Sequence, residues 1–299
     1  MTPSNQAYFY GIAAVLLWST VASAFKISLR YLEPSLLLLF SCLVSCVVLG
    51  VVLTARGQLG AVLELPRSEY LRSATLGAVN PLLYYLVLFE AYRRLPAQEA
   101  GPLNYTWALV LAYLSVPLLR QRLLLTDIVA GIVCYSGVLV VATGGNPWAL
   151  EFSDCIGVVL ALSSTVLWAF YWIYNTRDSV EPVIRLFLNF LFALPLALIA
   201  ALLLTDNWHP SIPGLLGAAY VGVFEMGFTF VLWLSALRRA VNTSRVGNLI
   251  FLSPPLSLAF IHHFVGEKIL TGTVAGLTLI LAGLILQRAG AARKQLVSS

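Results

Sequence analysis

The amino-acid sequence predicts an all-α integral membrane protein in which ten transmembrane helices form two inverted five-helix repeats. Two observations lead to this fold class. Ten segments of the 299-residue chain are apolar over about 20 residues, the length that crosses the hydrocarbon of a bilayer as a helix. The two halves of the chain also match each other when one is shifted by 145 residues.

The composition excludes an ordinary soluble domain. Hydrophobic residues make up 60% of the chain and charged residues 10%, whereas a soluble domain carries about 25% charged residues. The net charge is +5, but the basic residues cluster at the ends of apolar segments. The charge therefore indicates membrane topology and anionic lipid headgroups rather than nucleic acid. The four cysteines have neither metal-binding nor disulfide-framework spacing.

The ten predicted spans follow one another closely, so no soluble domain fits between them. Their connections are short and often contain Pro, Gly or charged residues. The spans cover residues 7–28, 35–54, 71–92, 97–119, 126–143, 154–175, 183–205, 212–237, 243–265 and 271–288.

The distribution of basic residues predicts the orientation of these spans. With the N-terminus in the cytoplasm, 13 Lys and Arg residues fall on the cytoplasmic side and 5 on the other, as the positive-inside rule requires. Both termini are then cytoplasmic, in the plasma membrane, or the inner membrane of a bacterium. Ala22-Ser23-Ala24 has the form of a signal-peptide cleavage site, but no Lys or Arg precedes it and the apolar stretch is long, which favours a retained first span.

The internal match predicts a duplication. The shift of 145 places AYRR at 91–94 on ALRR at 236–239, Gly77 on Gly222, and TDIVAG at 126–131 on TGTVAG at 271–276. A slip of three places Glu33-Pro34 on Glu181-Pro182. Each half holds five spans, an odd number, so the second half is inverted relative to the first. We expect the repeats to cover residues 1–145 and 146–299.

The end of the second half carries the most specific signature, SPPLSLAFIHHFVGEKILTGTVAGLTLILAG at 253–283. It resembles the drug/metabolite transporter superfamily in its ten-span form with paired EamA repeats: a proline in the ninth span, then G-E-K, then a glycine-bearing last span. The first half departs from this pattern, with Arg120-Gln121-Arg122 where a glutamate is frequent. We therefore interpret Glu267 as a structural charge at a helix boundary.

The resemblance implies a secondary transporter that exports small metabolites by alternating access, with spans one, three, four, six, eight and nine around a central cavity. Within the superfamily the chain resembles the bacterial aromatic amino acid exporters, which favours aromatic or neutral amino acids as substrates. An exporter of multiple drugs or cationic compounds is the alternative, and an intramembrane enzyme is a remote one, because GxSxG, HExxH and paired aspartates are absent from the sequence. A monomer without cofactor is the simplest hypothesis.

Polar and aromatic side chains at helical spacing predict the lining of that cavity. Residues at i, i+3, i+4 and i+7 share a helix face, and indole and phenol rings bind flat or cationic ligands. The predicted substrate-binding residues are Trp18, Asn80, Tyr84, Asn104, Tyr105, Trp107, Ser164, Trp168, Glu225, Trp233 and Asn248. Several share a stripe, and Asn80 falls on Glu225 in the repeat.

Prolines in spans four and nine predict places where the helices bend. Pro102 and Pro117 flank the polar stretch Asn104-Tyr105-Thr106-Trp107, and Pro254-Pro255 lie in span nine. A proline removes a helical hydrogen bond, which frees backbone groups beside the cavity. We therefore expect these four prolines to act as hinges or kinks.

Glu225 is the charged residue with the clearest functional interpretation. It lies near the middle of span eight, where a charge costs about 2.5–3.5 kcal/mol, so we expect it to bind a substrate ammonium or a proton. Glu90 precedes Arg93 and Arg94 by one turn and is predicted to form an ion pair. His262-His263 have no Cys or carboxylate at ligand spacing, so no metal site is predicted.

Overall fold

The computed structural model describes residues 3–120, 125–148, 153–175, 178–239 and 248–298. Within these ranges every regular element is a helix and none is a strand, which confirms the all-α class. The α-helices are α1 (Pro3–Ser28), α2 (Pro34–Ala55), α3 (Leu59–Leu63), α4 (Arg67–Gly77), α5 (Tyr84–Arg94), α6 (Ala97–Tyr105), α7 (Trp107–Leu119), α8 (Leu125–Ala142), α9 (Cys155–Asn175), α10 (Pro182–Leu204), α11 (Ile212–Tyr220), α12 (Phe228–Arg239), α13 (Ser253–Phe260) and α14 (Thr271–Ser298).

Four short helices of other types interrupt the predicted spans. Three are π-helical, at Ala78–Leu83, Val221–Glu225 and Ile261–Val265, and one is a 3-10 helix at Asn248–Leu252. The first π-helix joins α4 to α5, the second lies between α11 and α12, and the third follows α13. Spans three, eight and nine are therefore composite helices rather than single α-helices.

Seven helices among the described residues are long and apolar enough to cross a membrane, and Leu249–Val265 and Thr271–Gln287 form shorter apolar helices. The segment 97–119 is divided at Thr106 into α6 and α7, of 9 and 13 residues. The described part of each predicted span is helical, so the multi-pass membrane class is confirmed, while the number ten remains a prediction. The last helix continues beyond the predicted end at 288, to Ser298.

The chain forms two compact units. Unit 1 consists of Met1–Phe89 and Ser179–Val265, and unit 2 consists of Glu90–Asp178 and Gly266–Ser299. Each unit combines segments from both halves of the sequence, so the compact units do not coincide with the two predicted repeats. A duplicated chain can divide in this way because helices pack by the shape of their faces and not by their order in the sequence.

Two glycines of unit 1 show the duplication in three dimensions. A side chain at Gly77 would collide with the backbone oxygen of Asn189, and one at Gly222 would lie 2.6 Å from the backbone oxygen of Ser41. Gly77 and Gly222 are equivalent at the 145-residue shift, and Ser41 and Asn189 are equivalent once the slip of three is included. The same close helix contact therefore occurs twice, each time between a glycine of one half and a helix of the other half.

A buried arginine joins α10 to α4 in unit 1. The Arg185 side chain is 2% exposed, and its guanidinium donates to the Glu69 carboxylate, to the Glu69 carbonyl at 2.9 Å and to the Ser73 hydroxyl at 2.6 Å. A buried charge is tolerated when it is both paired and hydrogen-bonded. This network gives Arg185 a structural role, which its sequence position alone left open.

Close packing of α8 against α14 organises unit 2. A side chain at Gly137 would lie 2.5 Å from the Gly276 carbonyl oxygen, and one at Gly283 would lie 2.7 Å from the Ala130 carbonyl oxygen. Without a driving force from water, membrane helices associate through van der Waals contact of small residues. These glycines therefore serve the scaffold.

Gly276→Ala is expected to destabilise the protein by about 1–3 kcal/mol, because overpacking forces the backbone apart. The new methyl group would lie 2.7 Å from the Gly137 carbonyl oxygen, an atom that cannot rotate away. Thermal unfolding in detergent measures the loss. The matched control is Gly60→Ala in α3, where no atom lies within 4 Å of the new methyl group. Equal behaviour of the two variants would contradict the packing assigned to Gly276.

The charges at the ends of helices in unit 2 have structural partners. Glu267 accepts hydrogen bonds from the backbone N–H groups of Ala97 at 2.9 Å and Gln98 at 3.1 Å, so it caps the N-terminus of α6. Glu90 pairs with Arg93 at 2.6 Å and Arg94 at 2.7 Å. Both contacts agree with the structural interpretation made from the sequence.

Candidate functional site

Spans three and eight of unit 1 each contain a π-helical segment at matching positions of the repeat. A shift of 145 residues carries 78–83 onto 223–228, which overlaps the second segment at 221–225. Asn80 lies in the first segment and Glu225 ends the second. π-helical turns occur frequently at functional sites, because the inserted residue disturbs the backbone ladder and redirects side chains.

Asn80 departs from helical geometry inside its π-helix, with φ −144° and ψ 118°. The following residue, Pro81, has no N–H to continue the helical ladder. The Asn80 side chain is 2% exposed, and its Oδ1 atom has no hydrogen-bond partner among the described residues. Asn80 therefore offers a buried acceptor within unit 1.

Glu225 is the buried acidic side chain of this region, at 8% exposure. Its Oε1 atom accepts a hydrogen bond from the Tyr85 hydroxyl at 3.0 Å, and the Trp18 indole is a neighbour of the carboxyl group. No Lys, Arg or His in the described ranges forms an ion pair with it. A carboxylate in this setting has hydrogen-bond donors but no counter-charge.

The backbone around Glu225 is stabilised by hydroxyl groups from neighbouring turns. The Ser45 hydroxyl of α2 donates to the Met226 carbonyl at 2.8 Å, and the Thr229 hydroxyl donates to the Phe224 carbonyl. Ser and Thr side chains commonly satisfy backbone groups that an irregular membrane helix leaves free. The π-helical turn is thus built into the packing of unit 1.

The two aromatic neighbours of this carboxyl group, Trp18 and Tyr85, each pack against further aromatic rings within unit 1. The Trp18 ring centroid lies 5.5 Å from the rings of both Phe230 and Trp233. On the other side, Tyr85 packs against Phe25 at 6.4 Å and Phe89 at 5.4 Å. The structure therefore brings together the predicted residues Trp18, Glu225 and Trp233.

Tyr85 is the residue of this cluster that the sequence pattern missed. The α-helical stripe from Asn80 selects Tyr84, four residues on, but the extended backbone at Asn80 breaks the helix inside 78–83 and shifts that spacing. Tyr85 is the residue that donates to Glu225. Tyr84 is also buried, and its ring packs on Tyr85 at 4.7 Å. Pro81 is the signal in the sequence that could have warned of this shift.

Unit 2 holds a second aromatic cluster with a different chemistry. Asn104 Nδ2 donates to the Ser164 hydroxyl at 3.0 Å, which joins α6 to α9. Trp168 packs edge-on against Trp107 at 6.4 Å and Trp172 at 5.9 Å. The amide, the hydroxyl and these indoles are all neutral. Tyr105 ends α6 beside Asn104 and is half-buried.

The break in span four lies at Thr106 rather than at either proline. The Thr106 backbone N–H bonds to the Leu103 carbonyl at 3.3 Å, and its hydroxyl bonds to the same oxygen at 2.8 Å. Pro102 lies inside α6 and Pro117 inside α7, near its end. The tightened turn at Thr106 ends the first helix between the two prolines.

The break in span nine occupies the equivalent place in the repeat. The 3-10 helix Asn248–Leu252 precedes α13, and Pro254 and Pro255 lie in the first turn of α13. Proline is well tolerated there, since the first N–H groups of a helix have no intrahelical partner. Asn248 begins the 3-10 helix, and its side chain lies outside the described residues. The role of the four prolines as hinges remains a prediction.

The described part of the chain contains no group of three His, Cys, Asp or Glu residues placed to hold a metal ion. The two aromatic clusters offer groups for non-covalent recognition. In unit 1 a carboxyl group, a phenol and indoles face one another, which suits an organic cation or an ammonium group. In unit 2 neutral donors and indoles suit a flat, uncharged group.

Sequence comparison identifies relatives among membrane transporters. An uncharacterized transporter from Acidianus ambivalens is 28% identical over 64% of this chain and 73% of its own length. The aromatic amino acid exporter YddG of Ancylobacter novellus is 25% identical over 85% of this chain and 86% of its own length. The uncharacterized transporter YvbV of Bacillus subtilis is 24% identical over 91% of this chain and 88% of its own length. These names point to a transporter and not to an enzyme.

Structural comparison and a family profile agree with this result. A solved crystal structure superposes with a TM-score of 0.68 over 97% of this chain and 99% of the other, at 22% identity, which shows the fold. The profile of the EamA-like transporter family matches the chain twice, at residues 5–143 and 155–288. The two matches confirm the duplication seen as the 145-residue shift, and the chain belongs to the EamA-like transporter family.

Proposed function

We propose that this protein is a secondary transporter that exports aromatic or neutral amino acids. The observation that carries the proposal is the buried Glu225 carboxyl group, which has Trp18 and Tyr85 as neighbours and no ion-pair partner among the described residues. A relative that is 25% identical over 85% of this chain is named an aromatic amino acid exporter, which supports the same substrate class.

The chemistry of an aromatic amino acid fits the two clusters separately. Its ammonium group can pair with Glu225, and a cation over an indole gains about 0.5–2 kcal/mol. Its ring can pack on indoles such as Trp107 and Trp168, at about 0.5–1.5 kcal/mol for each ring pair. Asn104 contributes a neutral amide and Ser164 a neutral hydroxyl. An uncharged ring that binds beside them therefore does not lie next to a buried charge.

The remaining parts of the proposal concern placement in the cell. The bias of Lys and Arg towards one side of the predicted spans supports a plasma-membrane protein with both termini in the cytoplasm. Transport by alternating access of a duplicated helical fold is consistent with the two family matches. The proposed partners are the small-molecule substrate and the lipid bilayer.

A flux panel in liposomes tests the substrate class. Purified protein is reconstituted, and uptake of labelled phenylalanine, tryptophan, alanine and glutamate is compared with protein-free liposomes. We expect phenylalanine and tryptophan to be fastest and glutamate slowest, since Glu225 repels a second carboxylate. Fast glutamate flux without phenylalanine flux would rule out the proposed substrates.

The aromatic rings of Trp18 and Tyr85 beside Glu225 also support a second candidate function, an exporter of cationic compounds. Aromatic rings together with a carboxylate bind quaternary ammonium ions. Adding labelled tetraphenylphosphonium to the same panel separates the two functions. Rapid tetraphenylphosphonium flux with slow amino acid flux would favour the second candidate. Tetraphenylphosphonium flux below that of phenylalanine would favour the first.

Trp168→Ala is expected to lower the ratio of phenylalanine to alanine flux about 5- to 10-fold, because it removes ring contacts worth about 0.5–1.5 kcal/mol each. Taking the ratio within one variant cancels any change in the amount of folded protein. The matched control is Trp148→Ala, since Trp148 is 91% exposed. An unchanged ratio in Trp168→Ala would remove the unit 2 cluster from substrate recognition.

A further inference from the structure

Tyr85 and Glu225 are buried polar side chains that face each other in unit 1, and Tyr85 donates to Glu225 at 3.0 Å. The Tyr85 side chain is 1% exposed, and its ring is enclosed by Phe25, Phe89 and Tyr84 at centroid distances of 6.4, 5.4 and 4.7 Å. A ring packed in this way cannot turn without moving its neighbours, so the direction of its hydroxyl group is set by the core.

The position of Tyr85 depends on the π-helix that precedes it. Asn80 interrupts the helix inside 78–83, and α5, which begins at Tyr84 after this break, places Tyr85 against Glu225. Glu225 itself ends the matching π-helix of the second half. An irregular segment therefore adjoins each partner of this hydrogen bond.

A single phenol cannot replace a counter-charge. A hydrogen bond to a charged group contributes more than a neutral one, yet a buried carboxylate without a cation is still costly. Glu225 is therefore charged at little cost only when a cation approaches, and otherwise it favours a bound proton. A substrate amine and a proton then compete for the same carboxyl group.

We propose that Tyr85 is a positioning residue that orients the Glu225 carboxylate towards the amine of the substrate and sets the pH at which that amine displaces the proton. The proposal rests on the proposed function and adds to it a requirement: a ligand must carry an amine cation, and its affinity must fall in acid. The step moves one proton from Glu225 to water as the ammonium group binds, so charge at the site is conserved.

The elements packed around Glu225 carry few other groups that could produce this pH dependence. Besides Tyr85 and Glu225, their titratable and charged side chains are Cys42 and Cys46 on α2, Tyr84, Glu90, Tyr92, Arg93 and Arg94 on α5, Tyr220 on α11, Arg238 and Arg239 at the end of α12, and Tyr8, Tyr10 and Lys26 on α1. Cys42 acts on Tyr85 electrostatically, and Tyr220 shares a hydrogen bond with Thr20 at 2.6 Å. The other acid on these elements within the described residues is Glu90, which is partly exposed and paired with Arg93 and Arg94.

The test measures binding as a function of pH in the full-length protein in detergent, by quenching of tryptophan fluorescence. The probes are phenylalanine, phenethylamine, which keeps the amine, and 3-phenylpropionate, which lacks it. We expect the two amines to bind with an affinity that falls in acid, and 3-phenylpropionate to bind at least 10-fold more weakly. Equal affinity for all three probes would overturn the amine requirement.

Two variants then isolate the role of Tyr85. Tyr85→Phe removes the donor, so Glu225 holds its proton to higher pH, and we expect the midpoint of amine binding to move up by about one pH unit. Replacing Tyr85 with 3-fluorotyrosine keeps the shape and strengthens the donor, so the midpoint moves down. The control Tyr70→Phe removes the same kind of hydroxyl from a bond to the Val62 carbonyl, and its midpoint stays at that of the unmodified protein.

The outcomes separate this proposal from the proposed function. Opposite shifts in the two Tyr85 variants support the positioning role, even if liposomes show no amino acid flux. An unchanged midpoint in both variants overturns it, even if phenylalanine is exported. If Tyr85→Phe fails to fold, the fluorotyrosine variant still decides, since it changes only the acidity of the phenol.

Discussion

Replacing Glu225 with glutamine is expected to lower the affinity for phenylalanine about 100-fold and to abolish the pH dependence of transport. Glutamine has nearly the same shape as glutamate, so the packing against Trp18 and the bond from Tyr85 can persist. Truncating one partner of a buried charge pair commonly costs 2–5 kcal/mol or more, about two orders of magnitude in affinity. Liposome flux at several pH values measures both effects.

The matched control for this substitution is Glu90→Gln. Glu90 is a partly exposed carboxylate that pairs with Arg93 and Arg94, so its neutralisation leaves substrate affinity within about twofold, as expected of a surface pair. The flux of 3-phenylpropionate provides a second control, because a ligand without an amine gains nothing from the charge of Glu225. If the Glu225→Gln variant transports phenylalanine with the affinity and pH response of the unmodified protein, the carboxylate does not contact the substrate.

Replacing Arg185 with methionine is expected to destabilise the protein by about 3 kcal/mol, because it leaves the Glu69 carboxylate without its buried counter-charge. Arg185 is 2% exposed and Glu69 is 22% exposed, so the carboxylate recovers only part of its hydration. Denaturant titration in mixed micelles measures the loss. The double variant Arg185→Met/Glu69→Leu is expected to recover part of it, since an apolar pair removes the stranded charge.

Arg93→Met provides the comparison for a pair near the surface. Arg93 is 52% exposed, and removal of an exposed ion pair typically costs less than about 1 kcal/mol. Both variants remove one positive charge, but only Arg185 is buried. The difference between their losses of stability therefore reports the effect of burial rather than that of charge. A loss in Arg185→Met as small as that in Arg93→Met would contradict the structural role of the network between α4 and α10.

The membrane fold could be predicted because its signals are local or repeated. An apolar run of about 20 residues has few alternatives to a spanning helix, and each predicted span is helical in its described part. The shift of AYRR onto ALRR and of TDIVAG onto TGTVAG predicted a duplication, which the double family match confirms. The roles of Glu267 and Glu90 also followed from sequence, since each lies near the helix end or the arginines that it binds.

The details of the site could not be predicted in the same way. A stripe drawn at i and i+4 assumes an unbroken α-helix, and the π-helix at 78–83 makes that assumption wrong for Tyr85. The prolines of span four suggested where the helix bends, but the turn is at Thr106, where a threonine hydroxyl competes for a backbone carbonyl. Such competition depends on a few hydrogen bonds that hydropathy does not record.

The sequence by itself determined the class of this protein: helices in lipid, a duplicated chain, and a carboxylate and several indoles at unusual depth. Tertiary structure alone decided that segments of both halves form each compact unit, that Arg185 meets Glu69, and that Tyr85 rather than Tyr84 binds Glu225. The physical reason is the distance in sequence over which each effect operates. Hydrophobicity is a property of each residue and its near neighbours in the sequence. The pairing of buried polar groups depends on which helix faces, distant in the sequence, come into contact.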